Sequence, residues 1–100
     1  MKHSYTFTSK VWLYPGMAGW HFVGVPKAES PAIKNGVKVK AGFGSVPVEV
    51  QVGAQVWTTS IFPDKKSGQY LLPLKAAVRK KEGIYADDTI KISIKILAYK

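Results

Sequence analysis

The chain has 100 residues, 46% of them hydrophobic and 12% aromatic, and its 15 Lys and Arg against 6 Asp and Glu give a net charge of +9. That length holds one domain, residues 1–100, and the apolar content excludes a disordered chain. With no cysteine, disulfide staples, thiolate metal sites and thiol nucleophiles are excluded too.

The first ten residues hold no apolar signal-peptide run, and no stretch reaches the roughly 20 apolar residues of a spanning helix. The chain therefore reads as soluble and cytoplasmic, with no membrane partner. Tyr5, Phe7, Val11 and Leu13 share one parity while Thr6, Thr8 and Lys10 share the other. This is the pattern of one half-buried strand, with Ser9 a polar exception on its apolar side and Trp12 on its polar side. Pro15-Gly16 and Gly19 mark a turn, and "WHFVGVP" supplies a second strand that Pro26 ends. Ser30-Pro31 reads as an N-cap and first helical residue, Gly36 as the stop, and Ile33 as the packing residue that must hold so short a helix.

In "VKVKAGFGSVPVEVQV", Val37 and Val39 alternate with Lys38 and Lys40 before two glycines interrupt the run. Val46, Val48, Val50 and Val52 then share one face, with Pro47 on the outer parity suggesting an edge strand or a bulge. Gly53-Ala54 joins this strand to "QVWTTSIF" as a hairpin, and "PDKKSG" turns the chain into "QYLLP". After Pro73, Leu74, Ala77 and Val78 fall at helical spacing; Lys75, Arg79, Lys80 and Glu82 face away, and Gly83 closes the helix. Ile90, Ile92, Ile94 and Ile96 alternate with Lys91, Ser93 and Lys95 in the last strand. These elements predict a mainly β fold: a small closed or double-split barrel of six to seven strands, capped by two short α-helices. Strand, proline, helix, glycine and alternating strand occur twice in that order, which a pseudo-two-fold barrel would explain, with chance similarity among such units as the alternative.

The segment "LPLKAAVRKKEGIYADDTIKISI" resembles the core of the swapped-hairpin transition-regulator and antitoxin barrels, with Asp87 where their turn has glycine. That resemblance covers only the last third of the chain and implies arginine contacts to nucleic acid in this region. A fuller resemblance rests on "GWHFVGVP", "VWTTSIF", "GQYLLPLKAAVRKKEGI" and the acidic turn after it. On these the chain is similar to the uncharacterised family of unknown function numbered nineteen-oh-five, again with Asp87-Asp88 replacing Gly-Asp. The resemblance implies a small β-barrel, usually bacterial, sometimes beside a bacteriocin-protection-type domain. It implies no activity and no catalytic residues.

Chemistry is sparse. His3 and His21 without clustered carboxylates do not make a metal site, and no cofactor motif is present. Thr58, Thr59 and Ser60 have no nucleophile elbow around them, and Asp87 and Asp88 read as a turn rather than an acid–base pair. The sequence therefore predicts no catalytic residues and no enzyme. It predicts a protein that binds or supports a partner, with nucleic acid or an acidic protein as candidates and a monomer or weak homodimer as its state. The candidate anion contacts are Lys38, Lys40, Lys75, Arg79, Lys80, Lys91 and Lys95, although a lysine-rich surface also serves solubility alone. Trp12, Tyr14 and Trp20 are candidates for stacking a ligand ring or a base at a barrel mouth, while core packing is the competing role for Trp20 and Trp57. Arg79 has two readings: an anion contact, or a tie from its helix to Asp87 or Asp88.

Overall fold

The computed structural model describes residues 3–16, 19–36 and 44–97. The predicted strand of Val37 and Val39, and with it Lys38 and Lys40, lies outside the described residues. In chain order the strands are β1 (Ser4–Lys10), β2 (Trp12–Leu13), β3 (His21–Gly24), β4 (Val46–Val52), β5 (Gln55–Asp64), β6 (Gln69–Leu74) and β7 (Thr89–Ile96). Helix α1 (Ser30–Gly36) follows β3, and α2 (Ala76–Glu82) follows β6.

All strand pairs are antiparallel, in the order β1-β7-β4-β5-β6-β3-β2. Alternation places Val46, Val48, Val50, Val52, Ile92, Ile94 and Ile96 in one core, each at most 5% exposed. Burying each such side chain stabilises by about 1.5–3 kcal/mol. β5 serves both halves of the sheet. Gln55–Ile61 pair with β4, whereas Phe62–Asp64 pair with β6. The change of partner leaves an opening between the first part of β5 and the corner where β6 runs into α2.

The barrel is open rather than closed, and Val11 is the reason. Sequence pattern predicts a single strand from Tyr5 to Leu13, yet Val11 gives its backbone to the acidic turn before β7. Its N–H donates to the Asp88 carbonyl at 2.8 Å, and its carbonyl accepts from the Asp87 N–H at 2.7 Å. Residues on either side are sent to opposite ends of the sheet. Where closure would need a ladder between β1 and β3, Ser9 Oγ donates to the Gly24 carbonyl at 2.9 Å. This bond accounts for the polar residue on the apolar side of β1. The break also changes the parity of the residues after it: Leu13, expected in the core, is 51% exposed.

Three further expectations are corrected. The first helical turn begins at Lys27, directly after Pro26, so Ser30 (φ −58°, ψ −44°) is already helical and is not the N-cap. Ile33, at 1% exposed, does hold α1 to the core. Pro47 lies in an interior strand, between β5 and β7, rather than at an edge. Both backbone groups of a strand residue point the same way, and the Pro47 carbonyl accepts from Leu97 just past the end of β7. The N–H that proline lacks therefore falls where that ladder is finishing. Finally, Leu74 ends β6 and Ala77 is exposed, leaving Val78 as the buried residue of α2. Gly83 stops α2 as expected, in the left-handed conformation (φ 64°, ψ 40°) with the Ile84 N–H donating to the Arg79 carbonyl.

Candidate functional site

The break at Val11 builds the most distinctive surface of the protein. β2 and β3 form a small hairpin in which Trp12 opposes Phe22, and the Tyr14 N–H donates to the Trp20 carbonyl at 2.9 Å. Side chains alternate with period two, so Trp12, Tyr14, Trp20 and Phe22 all fall on one face. Phe22 is the hub. Its ring centroid lies 5.5 Å from Trp12, 5.5 Å from Tyr14 and 5.9 Å from Trp20. Trp12 and Tyr14 stack at 5.6 Å. These separations are those of mutually attractive aromatic pairs. The hub is buried, but Trp20 is 50% exposed and Tyr14 38%, and Phe62 from β5 adds another ring at 42%. The structure therefore brings together the three predicted stacking residues. It assigns Trp57 to the core as expected, but Trp20 to the surface, because Trp20 lies at the turn end of the hairpin, beyond the residues paired between β2 and β3.

Two clefts flank this aromatic corner, and both are lined by Trp20 and Phe62. The first, about 600 Å³, runs along Trp12 and Tyr14 to Asp64 and Lys66. The second, about 620 Å³, occupies the opening between β5 and the β6–α2 corner, where Trp57, Thr58, Thr59, His21, Lys75 and Arg79 complete its walls. A slightly larger cavity of about 670 Å³ beside α1 includes Ser30, Lys34, Asp64 and Tyr70. It has neither an indole nor a guanidinium, so the second cleft is the better candidate. Sequence reasoning missed Phe62, His21, Thr58 and Thr59 as site residues, since only the partner change of β5 opens a cleft beside them.

Arg79 lines that cleft, and its partners differ from those expected. Its Nε donates to the Leu74 carbonyl at 3.2 Å and an Nη2 hydrogen to the Gly19 carbonyl at 3.3 Å. The same Gly19 carbonyl lies 2.9 Å from His21 Nδ1, which therefore carries the donated proton. Gly19 adopts φ +78°, a conformation that suits glycine. The acidic turn is engaged elsewhere. Asp87 faces Lys10 at 3.7 Å with both side chains largely exposed, and Asp88 Oδ2 accepts from the Tyr85 N–H at 2.8 Å. Arg79 is thus a tie, but to the β2–β3 turn rather than to Asp87 or Asp88.

The remaining predicted cations divide between two places. Lys75 and Lys80 accompany Arg79 at α2, while Lys91 and Lys95 lie on the outward side of β7, opposite Thr8 and Ser4 of β1. Lys95 also lies opposite Glu49 of β4, so the β7 cations sit on a mixed surface.

Two perturbed groups lie near the clefts. The Ser67 hydroxyl, donating to Asp64 Oδ2 at 2.7 Å, holds the Asp64 carboxyl below its ordinary pKa. Burial raises the Tyr70 phenol above its ordinary value. Among the described residues no three His, Cys, Asp or Glu gather as metal ligands, and no helix is long and apolar enough to cross a membrane.

No curated protein matches the chain. The sequence model of a family described as a domain of unknown function (DUF1905) matches residues 7–94, most of the chain, and the chain belongs to this family.

Proposed function

We propose that this protein is a non-enzymatic binding module and that its partner docks on the aromatic corner of β2, β3 and β5. The supporting observation is the set of rings held against Phe22 while Trp20, Tyr14 and Phe62 remain open to solvent. Contiguous exposed apolar surface of this kind is costly to keep in water and marks interaction sites. Aromatic residues are the usual anchors of such sites.

Trp20→Ser separates this reading from a structural role. A docking residue contributes little to the unbound fold, so unfolding by urea should change by less than about 1 kcal/mol. A loss of about 3 kcal/mol or more, the range for truncating a core tryptophan, would assign the corner to folding and overturn the reading.

Sequence-tolerant binding of nucleic acid is the second reading. It is favoured by Lys75 and Arg79 standing in one cleft with Trp20 in a chain of net charge +9. Cations beside stacking rings are what a single strand requires.

A further inference from the structure

We infer that the cleft between β5 and the β6–α2 corner is a site for one nucleotide unit, its base stacked on Trp20 and its phosphate held by Arg79 and Lys75. This rests on the second reading of the function and gives it a location and a stoichiometry.

Charge is the first argument. The chain has six Asp and Glu carboxylates, yet none lines this cleft, whereas Lys75 and Arg79 both do. An anion entering it meets two cations and no opposing charge on the walls. The neighbouring cleft, by contrast, sets Asp64 against Lys66.

Preorganisation is the second. A guanidinium carries five N–H donors in a plane. Arg79 uses one on Leu74 and one on Gly19, which fixes the plane and leaves three without a partner among the described residues. A fork already held in place loses little freedom when it receives phosphate oxygens, and its geometry suits them better than a lysine does.

The third is how platform and cation are joined. Trp20 lies nearly parallel to Phe22, with 29° between the rings, so one indole face is backed by protein. The carbonyl that holds Arg79 belongs to Gly19, the residue before Trp20. Ring and charge are thus set by adjacent residues of one turn. Thr58 and Thr59 also line the cleft; neighbours on a strand point to opposite faces, so one of these hydroxyls, which donates or accepts and so tolerates any base, is left for a base edge beside His21. A volume of about 620 Å³ is in the range of small-ligand sites, and the ridge of Trp20 and Phe62 leads into the other cleft, past Tyr14. A strand of several nucleotides therefore has a path onward.

The nucleotide unit comes either free or within a single strand, and one titration distinguishes them. A short oligouridylate, uridine monophosphate, an RNA duplex of equal length and an oligoglutamate of equal charge are titrated at physiological salt, with tryptophan fluorescence as the signal. Oligouridylate is expected to bind and quench, with duplex and oligoglutamate weaker by about tenfold, since neither offers an unstacked base. Monophosphate binding within a few-fold of the oligomer supports a free-nucleotide site; much weaker binding supports a strand site. Trp20→Ala and Arg79→Gln should each weaken binding about tenfold, with Arg79→Lys intermediate. The double variant Lys91→Gln/Lys95→Gln, on the outer side of β7, should weaken it less than about threefold.

The inference is overturned if neither nucleotide probe binds. It is overturned if oligoglutamate matches oligouridylate, or if the β7 variant loses as much as Arg79→Gln. Circular dichroism of each variant separates lost binding from lost fold. Any of these failures leaves the docking corner itself to be judged by the Trp20→Ser unfolding measurement.

Discussion

Asp87 is the residue on which the geometry of the acidic turn that engages Val11 can be tested most directly. It is the non-glycine residue with positive φ among those described, at 73°. An L-residue in the left-handed region carries a cost of about 1–2 kcal/mol, and aspartate sits at the low end because its short polar side chain tolerates it. Asp87→Gly removes that cost and loses the Lys10 ion pair. The pair is 3.7 Å long with side chains 67% and 82% exposed, so its loss matters little. Against the gain stands the greater freedom of glycine in the unfolded chain, about 0.5–1 kcal/mol. The balance is a stabilisation of up to about 0.5 kcal/mol, which for a domain of this size raises Tm by at most about 4 °C. Asp87→Ala should go the other way by about 1 kcal/mol, since alanine has neither the freedom nor the polar side chain. The backbone bond from Asp87 N–H to the Val11 carbonyl survives in both variants. The assay is thermal and urea unfolding of the three proteins side by side. Equal destabilisation by glycine and alanine would mean that the side chain, not the backbone conformation, holds this turn, and the reasoning would fail.

Two further outcomes can be checked on the same material. Ile92 is fully buried on the strand between β1 and β4, so Ile92→Ala should cost about 2–5 kcal/mol in urea unfolding, and a cost under about 1 kcal/mol would contradict the core assignment. Because the Ser67 hydroxyl lowers the pKa of Asp64, Asp64 contributes stability that is present above its ordinary value of 3.8 and is lost as pH falls through the depressed folded value. Ser67→Ala should therefore move the Asp64 titration, followed by carboxyl NMR, toward 3.8 and remove part of that acid dependence; an unchanged titration would rule out the hydroxyl as its cause.

Much of the fold can be read in the chain. The four alternating isoleucines of β7 and the four valines of β4 mark a two-sided sheet, and Gly53-Ala54 marks the hairpin that joins β4 to β5. Gly83 marks the end of α2 as plainly. Local chemistry is enough in these cases, because period two, a tight turn and a left-handed stop each depend on residues close in sequence.

The site is legible only in its parts. Trp12, Tyr14 and Trp20 stand out as candidates, but periodicity alone puts Leu13 inside and cannot separate Trp20 from Trp57. The deciding event is the loan of the Val11 backbone to a turn some 76 positions later, from 11 to 87. Once a strand is interrupted there, every later side chain is free to change faces. The partner of Arg79 is decided in the same way, since Gly19 reaches it from a hairpin 60 positions away. Sequence by itself determined most of the strands, the stop of α2 and the basic balance of this protein, because those rest on neighbours and on composition. Tertiary structure decided that the barrel stays open, that the rings gather on its corner and that a cleft without carboxylates opens beside them. Those outcomes depend on where backbone hydrogen bonds go between distant segments, and side-chain pattern does not encode that destination.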